Sequence, residues 1–129
     1  MKSHLQTIND VNIEELRLYC LAKPGSAEST PFGDDTLVFK VAGKMFALTS
    51  LSSPDLRVNL KCDPQQAIEL REQYPSVLPG YHMSKIHWNT VVVDGSVPDS
   101  QVREWIDDSY NLIVAGLSRK LRDQLNSEI

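Results

Sequence analysis

A chain of 129 residues with 41% apolar and 23% charged residues, six glycines and seven prolines has the composition of one ordinary globular domain, which excludes a disordered or fibrous chain. Apolar runs such as Val91-Val92-Val93 are too short to span a membrane, and the N-terminus lacks the basic-then-apolar order of a secretory signal, so a cytoplasmic, membrane-free chain is expected. A net charge of −4 excludes a protein that coats nucleic acid by bulk charge, although residues 36–62 carry four basic groups against one acidic group.

Asn12, with Glu15 three positions on, reads as a helix N-cap, and Ile13, Leu16, Cys20 and Leu21 then recur at helical spacing as far as about Ala22. Lys23-Pro24-Gly25 stops that helix, and a loop runs through Pro31-Phe32-Gly33-Asp34-Asp35. Thr36 to Val41 alternates as a half-buried strand, Ala42-Gly43 is a two-residue hairpin turn, and Lys44 to Ser50 returns. Leu56 to Cys62 is a third strand, with Leu56, Val58, Leu60 and Cys62 facing in and Arg57, Asn59 and Lys61 facing out.

Asp63-Pro64-Gln65-Gln66 starts a second helix over roughly 64–73, which Tyr74-Pro75 ends. Residues 75–87 read as a connection with one helical turn near Ser84 to His87, and Trp88 to Val93 as a fourth strand closed by Asp94-Gly95. From Pro98, the spacing of Val102, Trp105, Ile106, Ile113 and Leu117 predicts a long packing helix, followed by a short helix over Arg119 to Leu125. Helices flanking a run of antiparallel strands predict an α+β fold, with the N- and C-terminal helices packed on one face of the sheet. Cys20 and Cys62, without CxxC spacing, are expected to be buried free thiols, with a single disulfide as the alternative.

Several of these segments carry a resemblance. Pro31-Phe32-Gly33, Thr36-Leu37-Val38-Phe39-Lys40-Val41, Lys44-Met45-Phe46-Ala47, Val58-Asn59-Leu60-Lys61-Cys62 and the run from Gly80 to Thr90 resemble the MmcQ/YjbR family, as do Asp94 to Asp99 and Ser109-Tyr110 at their usual spacing. The likeness covers nearly the whole chain. It implies a frataxin-like fold and a likeness to double-wing DNA-binding domains that present a curved sheet to the duplex.

Lys40, Lys44, Arg57, Asn59 and Lys61 form a candidate surface, because strand alternation directs several of them toward one solvated sheet face, with Lys85, His87 and Asn89 at its edge. In a DNA-binding module, Lys40, Arg57, Lys61 and Lys85 would neutralise phosphates, while Asn59, His87 and Asn89 would reach backbone or base edges. An exposed sheet face must be polar in any case, and lysine also guards strands against unwanted pairing.

The alternative is a protein-interaction or small-ligand module that uses Leu78 to Asn89 as a pocket lip, because loops held on a scaffold are where binding residues gather. That loop holds Tyr81, His82, Lys85, His87 and Trp88, each of which also has a structural reading in packing or hydrogen bonding.

No enzyme is expected. The chain has no GxSxG elbow, Walker loop or GxGxxG, so no nucleotide cofactor is implied, and His82 and His87 are five apart, which misses one helix face and argues against zinc. The frataxin likeness raises iron binding by Glu14, Glu15, Asp107 and Asp108, which solvated helix faces explain more simply. A monomer is expected.

Overall fold

The computed structural model describes residues 12–81 and 83–127. Asn12 caps the first helix, α1 (Ile13–Leu21), by accepting a hydrogen bond from the Glu15 amide at 2.8 Å, and Leu16 and Cys20, four apart, form its buried stripe.

The strand that follows, β1 (Ser26–Ser29), takes the place of an expected loop. Its sequence, Ser-Ala-Glu-Ser, has no apolar alternation to announce it; it is an edge strand held by the backbone ladder to its neighbour. Arg17 on α1 grips Glu28 on β1 in a fork, Nε to Oε1 at 2.7 Å and Nη2 to Oε2 at 2.6 Å, which ties helix to edge strand.

The expected hairpin is present as β2 (Thr36–Val41) and β3 (Lys44–Ser50), joined by Ala42 and Gly43 at φ 51° and 77°, the left-handed pair of a type I′ turn. Register slips between Phe39 and Lys40: Phe39 pairs with Ala47 and Lys40 with Met45, leaving Phe46 as the extra residue of a bulge. Phe46 and Ala47 are both buried in the core as a result.

Next come β4 (Arg57–Lys61) and α2 (Pro64–Gln73), the latter capped by Asp63, whose carboxylate accepts from the Gln65 and Gln66 amides, both at 3.2 Å. A three-residue strand, β5 (Val77–Pro79), lies inside the expected connection, and the Trp88 amide donates to the Ser84 carbonyl at 3.0 Å to close the helical turn before β6 (Trp88–Val92). The chain then runs through α3 (Asp99–Ala115) and α4 (Arg119–Ser127). The six strands form one antiparallel sheet in the order β1-β2-β3-β4-β6-β5.

One face of this sheet carries the main core. Leu37, Phe39, Val41, Phe46, Val58, Leu60 and Val91 pack against Leu16 and Cys20 of α1 and against Val102, Trp105, Ile106, Tyr110 and Ile113 of α3. Phe46 meets Tyr110 edge to face at 5.3 Å. Burying aromatics of this size contributes about 2–3 kcal/mol each. The α+β fold is therefore as expected, with the helices on one face. Among the described residues, no helix is long and apolar enough to cross a membrane.

The other face departs from expectation. It is not a uniformly polar surface: Val38, Leu48 and Trp88 are buried there, with Met45 and Met83 packed on them. Met83 belongs to the segment after β5, so residues far apart in sequence assemble this second apolar cluster.

Candidate binding groove on the outer face of the sheet

The ladder register defines the outer face row by row. Val38, Leu48, Asn59 and Thr90 lie abreast across β2, β3, β4 and β6, with Thr36, Ser50 and Arg57 on a parallel row. Two aromatic side chains stand over this floor, Phe32 from the loop before β2 and Tyr81 from the loop after β5, and they are 63% and 69% exposed. Exposed rings beside an apolar floor are the unusual feature, since large aromatics are normally withdrawn from water.

Between these rings runs a groove of about 550 Å³, lined by Phe32, Thr36, Met45, Leu48, Ser50, Asn59, Tyr81 and Met83. A lobe of about 240 Å³ shares Leu48, Ser50, Asn59 and Tyr81 with it and extends to Ser53, Arg57 and Thr90. Volumes of several hundred Å³ with apolar walls and a few polar groups suit small ligands.

Its polar groups are ordered by a short relay. The Tyr81 amide donates to Thr90 Oγ1 at 3.0 Å, so the Thr90 hydroxyl donates onward to Asn59 Oδ1. That orientation commits the carbonyl side of the Asn59 amide and leaves its NH₂ for the groove. Arg57 engages Asp55 through Nε at 3.0 Å and Nη2 at 3.3 Å. Hydrogen bonds from Arg57 and then Ser53 hold the Asp55 carboxyl below the usual carboxylate range.

The residues expected to form a basic face are only partly brought together. Lys40 and Lys61, opposite Met45 and Trp88, share the outer face with Arg57 and Asn59, but both lysines are half-buried and Arg57 already has a carboxylate partner. Lys44 sits at the hairpin end opposite Val41, a core-facing residue, and so leaves the set.

Asn89 is a clear correction. It pairs with Leu60, is 3% exposed and donates to the Ala67 carbonyl at 3.3 Å, because the two-residue period of β6 turns Trp88 and Thr90 outward and Asn89 toward α2. Lys85 donates to the Gly80 carbonyl at 3.3 Å, and exposed His87 offers its carbonyl to the Cys62 amide at 2.8 Å; both brace the loop. His82 lies outside the described residues.

Leu48, Met45 and Val38 announce the groove in retrospect, since β2 and β3 are apolar on both faces, the pattern of a sheet covered on both sides. Phe32 and Tyr81 carry no such signal, because only the fold brings their two loops over one face of the sheet.

The acidic residues do not gather. Asp107 accepts from the Tyr19 hydroxyl at 2.7 Å and pairs with Lys23, whereas Glu14 pairs with Arg17 at 3.5 Å. Among the described residues, no group of three or more histidine, cysteine or acidic side chains is placed to hold a metal ion.

A family model described as YjbR matches residues 21–112, a span that contains every groove-lining residue named above. The chain belongs to the YjbR family. It is 38% identical over 115 residues to Escherichia coli K12 YjbR, covering 89% of this chain and 98% of that protein. Against YbdF of E. coli O157:H7 it is 44% identical over 94 residues, covering 73% of this chain and 75% of that protein. The crystal structure of Deinococcus radiodurans DR2400 superposes on this YjbR-family chain with a TM-score of 0.85 at 41% identity, covering 94% of this chain and 91% of that one.

Both cysteines of this YjbR-family chain are free thiols. Burial pushes Cys20 up to about 12, and burial followed by the nearby Asp63 and Asp108 pushes half-buried Cys62 up to about 11. The thiolate is the reactive species. Cys62 should therefore react with a chromogenic disulfide reagent at pH 7 on the order of 100-fold more slowly than in the urea-unfolded chain, with the native rate climbing about tenfold per pH unit toward 11. Equal native and unfolded rates at pH 7 would contradict the burial account.

Proposed function

We propose that the chain is a binding module, without catalysis of its own, that holds a small amphipathic ligand in the groove on the outer face of its sheet. The observation that carries this reading is the pair of exposed rings, Phe32 and Tyr81, standing over an apolar floor with one ordered polar relay. Among the described lining residues there is no carboxylate, cysteine or histidine to act as base or nucleophile, which supports binding over chemistry. The test is a fragment screen by amide NMR. Perturbations should cluster on Leu48, Asn59, Tyr81 and Thr90 and vanish in the Phe32→Ser/Tyr81→Ser double variant, which changes only exposed side chains. Perturbations that persist in that variant, or that fall elsewhere, overturn the reading.

A second reading, DNA binding, is supported by the placement of Lys40, Arg57 and Lys61 on that same face. Three cations would release about three counterions, so affinity should fall with salt at a log–log slope near −3. Polarisation titration of duplex and single-stranded oligonucleotides against the wild type and the Lys40→Ala/Arg57→Ala/Lys61→Ala variant tests it. Binding that ignores both salt and the triple substitution sinks it.

A further inference from the structure

The groove has a charge preference built into it. Among its described lining residues Arg57 is the one full charge, at the end of the smaller lobe, and no carboxylate faces the cavity. We propose that the ligand is a small organic monoanion, an aromatic or aliphatic acid, with its apolar body between Phe32 and Tyr81 and its anionic head at Arg57 and Asn59. This rests on the groove being the binding site.

Three features lead to that chemistry. First, the two nitrogen groups at the polar end of the groove are donors. Thr90 fixes Asn59 with its NH₂ toward the groove, and Asp55 occupies Nε and Nη2 of Arg57 but leaves Nη1. A carboxylate or sulfonate accepts from such a pair, whereas a purely apolar ligand would strip water from both and return nothing.

Second, a cationic ligand finds no counter-charge. Asp55 lines neither lobe, and its carboxylate is held by Arg57 and Ser53. Third, one guanidinium that already shares a carboxylate suits a single negative charge better than a phosphate dianion, which calls for a cluster of cations. The walls match the other half of the molecule: Phe32, Met45, Leu48, Tyr81 and Met83 offer ring faces and flexible thioethers against which a flat or aliphatic body can lie.

Two fluorescent probes with the same ring system separate the claims: anilinonaphthalene sulfonate, which carries the anion, and phenylnaphthylamine, which lacks it. Each is titrated into the wild type, Arg57→Gln and Phe32→Ser, all folded by circular dichroism, since both sites are solvent-facing. The sulfonate should bind one-to-one and roughly tenfold more tightly than the neutral probe, and Arg57→Gln should remove that advantage without moving the neutral probe. Salicylate should compete for the sulfonate site. If both probes bind equally, or the sulfonate ignores Arg57→Gln, while Phe32→Ser weakens both, the anion preference is overturned and the groove stands. If neither probe binds, or Phe32→Ser moves neither, the groove itself is overturned.

Discussion

Replacing Ser109 with alanine is expected to destabilise the protein by about 2–4 kcal/mol, more than most single-atom deletions. Ser109 is fully buried in the middle of α3, and its hydroxyl donates to the Phe46 carbonyl at 2.6 Å while accepting from the Lys61 amide at 2.8 Å. It therefore stitches the long helix to two strands at once, one of them at the bulge where Phe46 is the unpaired extra residue. Alanine removes one oxygen and strands two buried backbone groups, and each stranded group costs about 1–3 kcal/mol. Urea unfolding should show the midpoint falling with the slope unchanged. Ser96→Ala is the control: its hydroxyl bond to Asp94, at 2.6 Å, is exposed, and its removal should change stability by less than about 0.5 kcal/mol. A Ser109→Ala loss no larger than that of the control would show that water or a relaxed backbone replaces both bonds.

What the sequence revealed, and what it hid, follows from how local each signal is. The strand around Val58 and Leu60, the helix begun by Asp63-Pro64 and the turn at Ala42-Gly43 are written in neighbouring residues, so period and capping suffice to find them. The strand at Ser26–Ser29 is set by backbone pairing to β2, and Val77–Pro79 is three residues long; neither leaves a periodic trace. Asn89, expected at the edge of the outer face, lies on the inner one, because a single step of parity divides the two faces of a strand. The Asp55–Arg57 pair sits at the start of β4, where neither period nor capping marks it, and it gives Arg57 a carboxylate partner on what the sequence reads as a bare basic face. The groove was the least legible feature, because its walls come from loops separated by some fifty residues and meet only once the sheet is built.

The loop that forms one of those walls is held at several points. The Gly80 amide bonds the Trp88 carbonyl at 3.0 Å, Tyr81 bonds Thr90, Lys85 reaches back to Gly80, and Arg71 of α2 donates to the Lys85 carbonyl at 3.1 Å. Each bond joins the segment to β6, to α2 or to itself. The wall that Tyr81 provides is thus a fixed part of the fold, which is what a site with a preformed shape requires.

Gly80 is the point at which this arrangement is most vulnerable. A methyl group there would lie 2.8 Å from both the Trp88 Cβ and the Trp88 carbonyl oxygen, inside contact distance of atoms that cannot swing aside. Gly80→Ala should therefore force β5 and the start of the loop away from β6, at about 1–3 kcal/mol, and carry Tyr81 off the groove floor. Two readouts should fall together: the urea midpoint, and the affinity of any groove ligand measured where the variant is still folded. Gly43→Ala separates close approach from backbone conformation. Gly43 has a φ of +77° and nothing within 4 Å of an added methyl, so alanine there should cost about 1 kcal/mol through the left-handed backbone alone and leave ligand affinity unchanged. If Gly80→Ala keeps both stability and affinity, the contact between Gly80 and Trp88 does not position Tyr81. If it lowers stability and spares affinity, the groove tolerates movement of its wall, and the floor at Leu48, Asn59 and Thr90 must carry recognition instead.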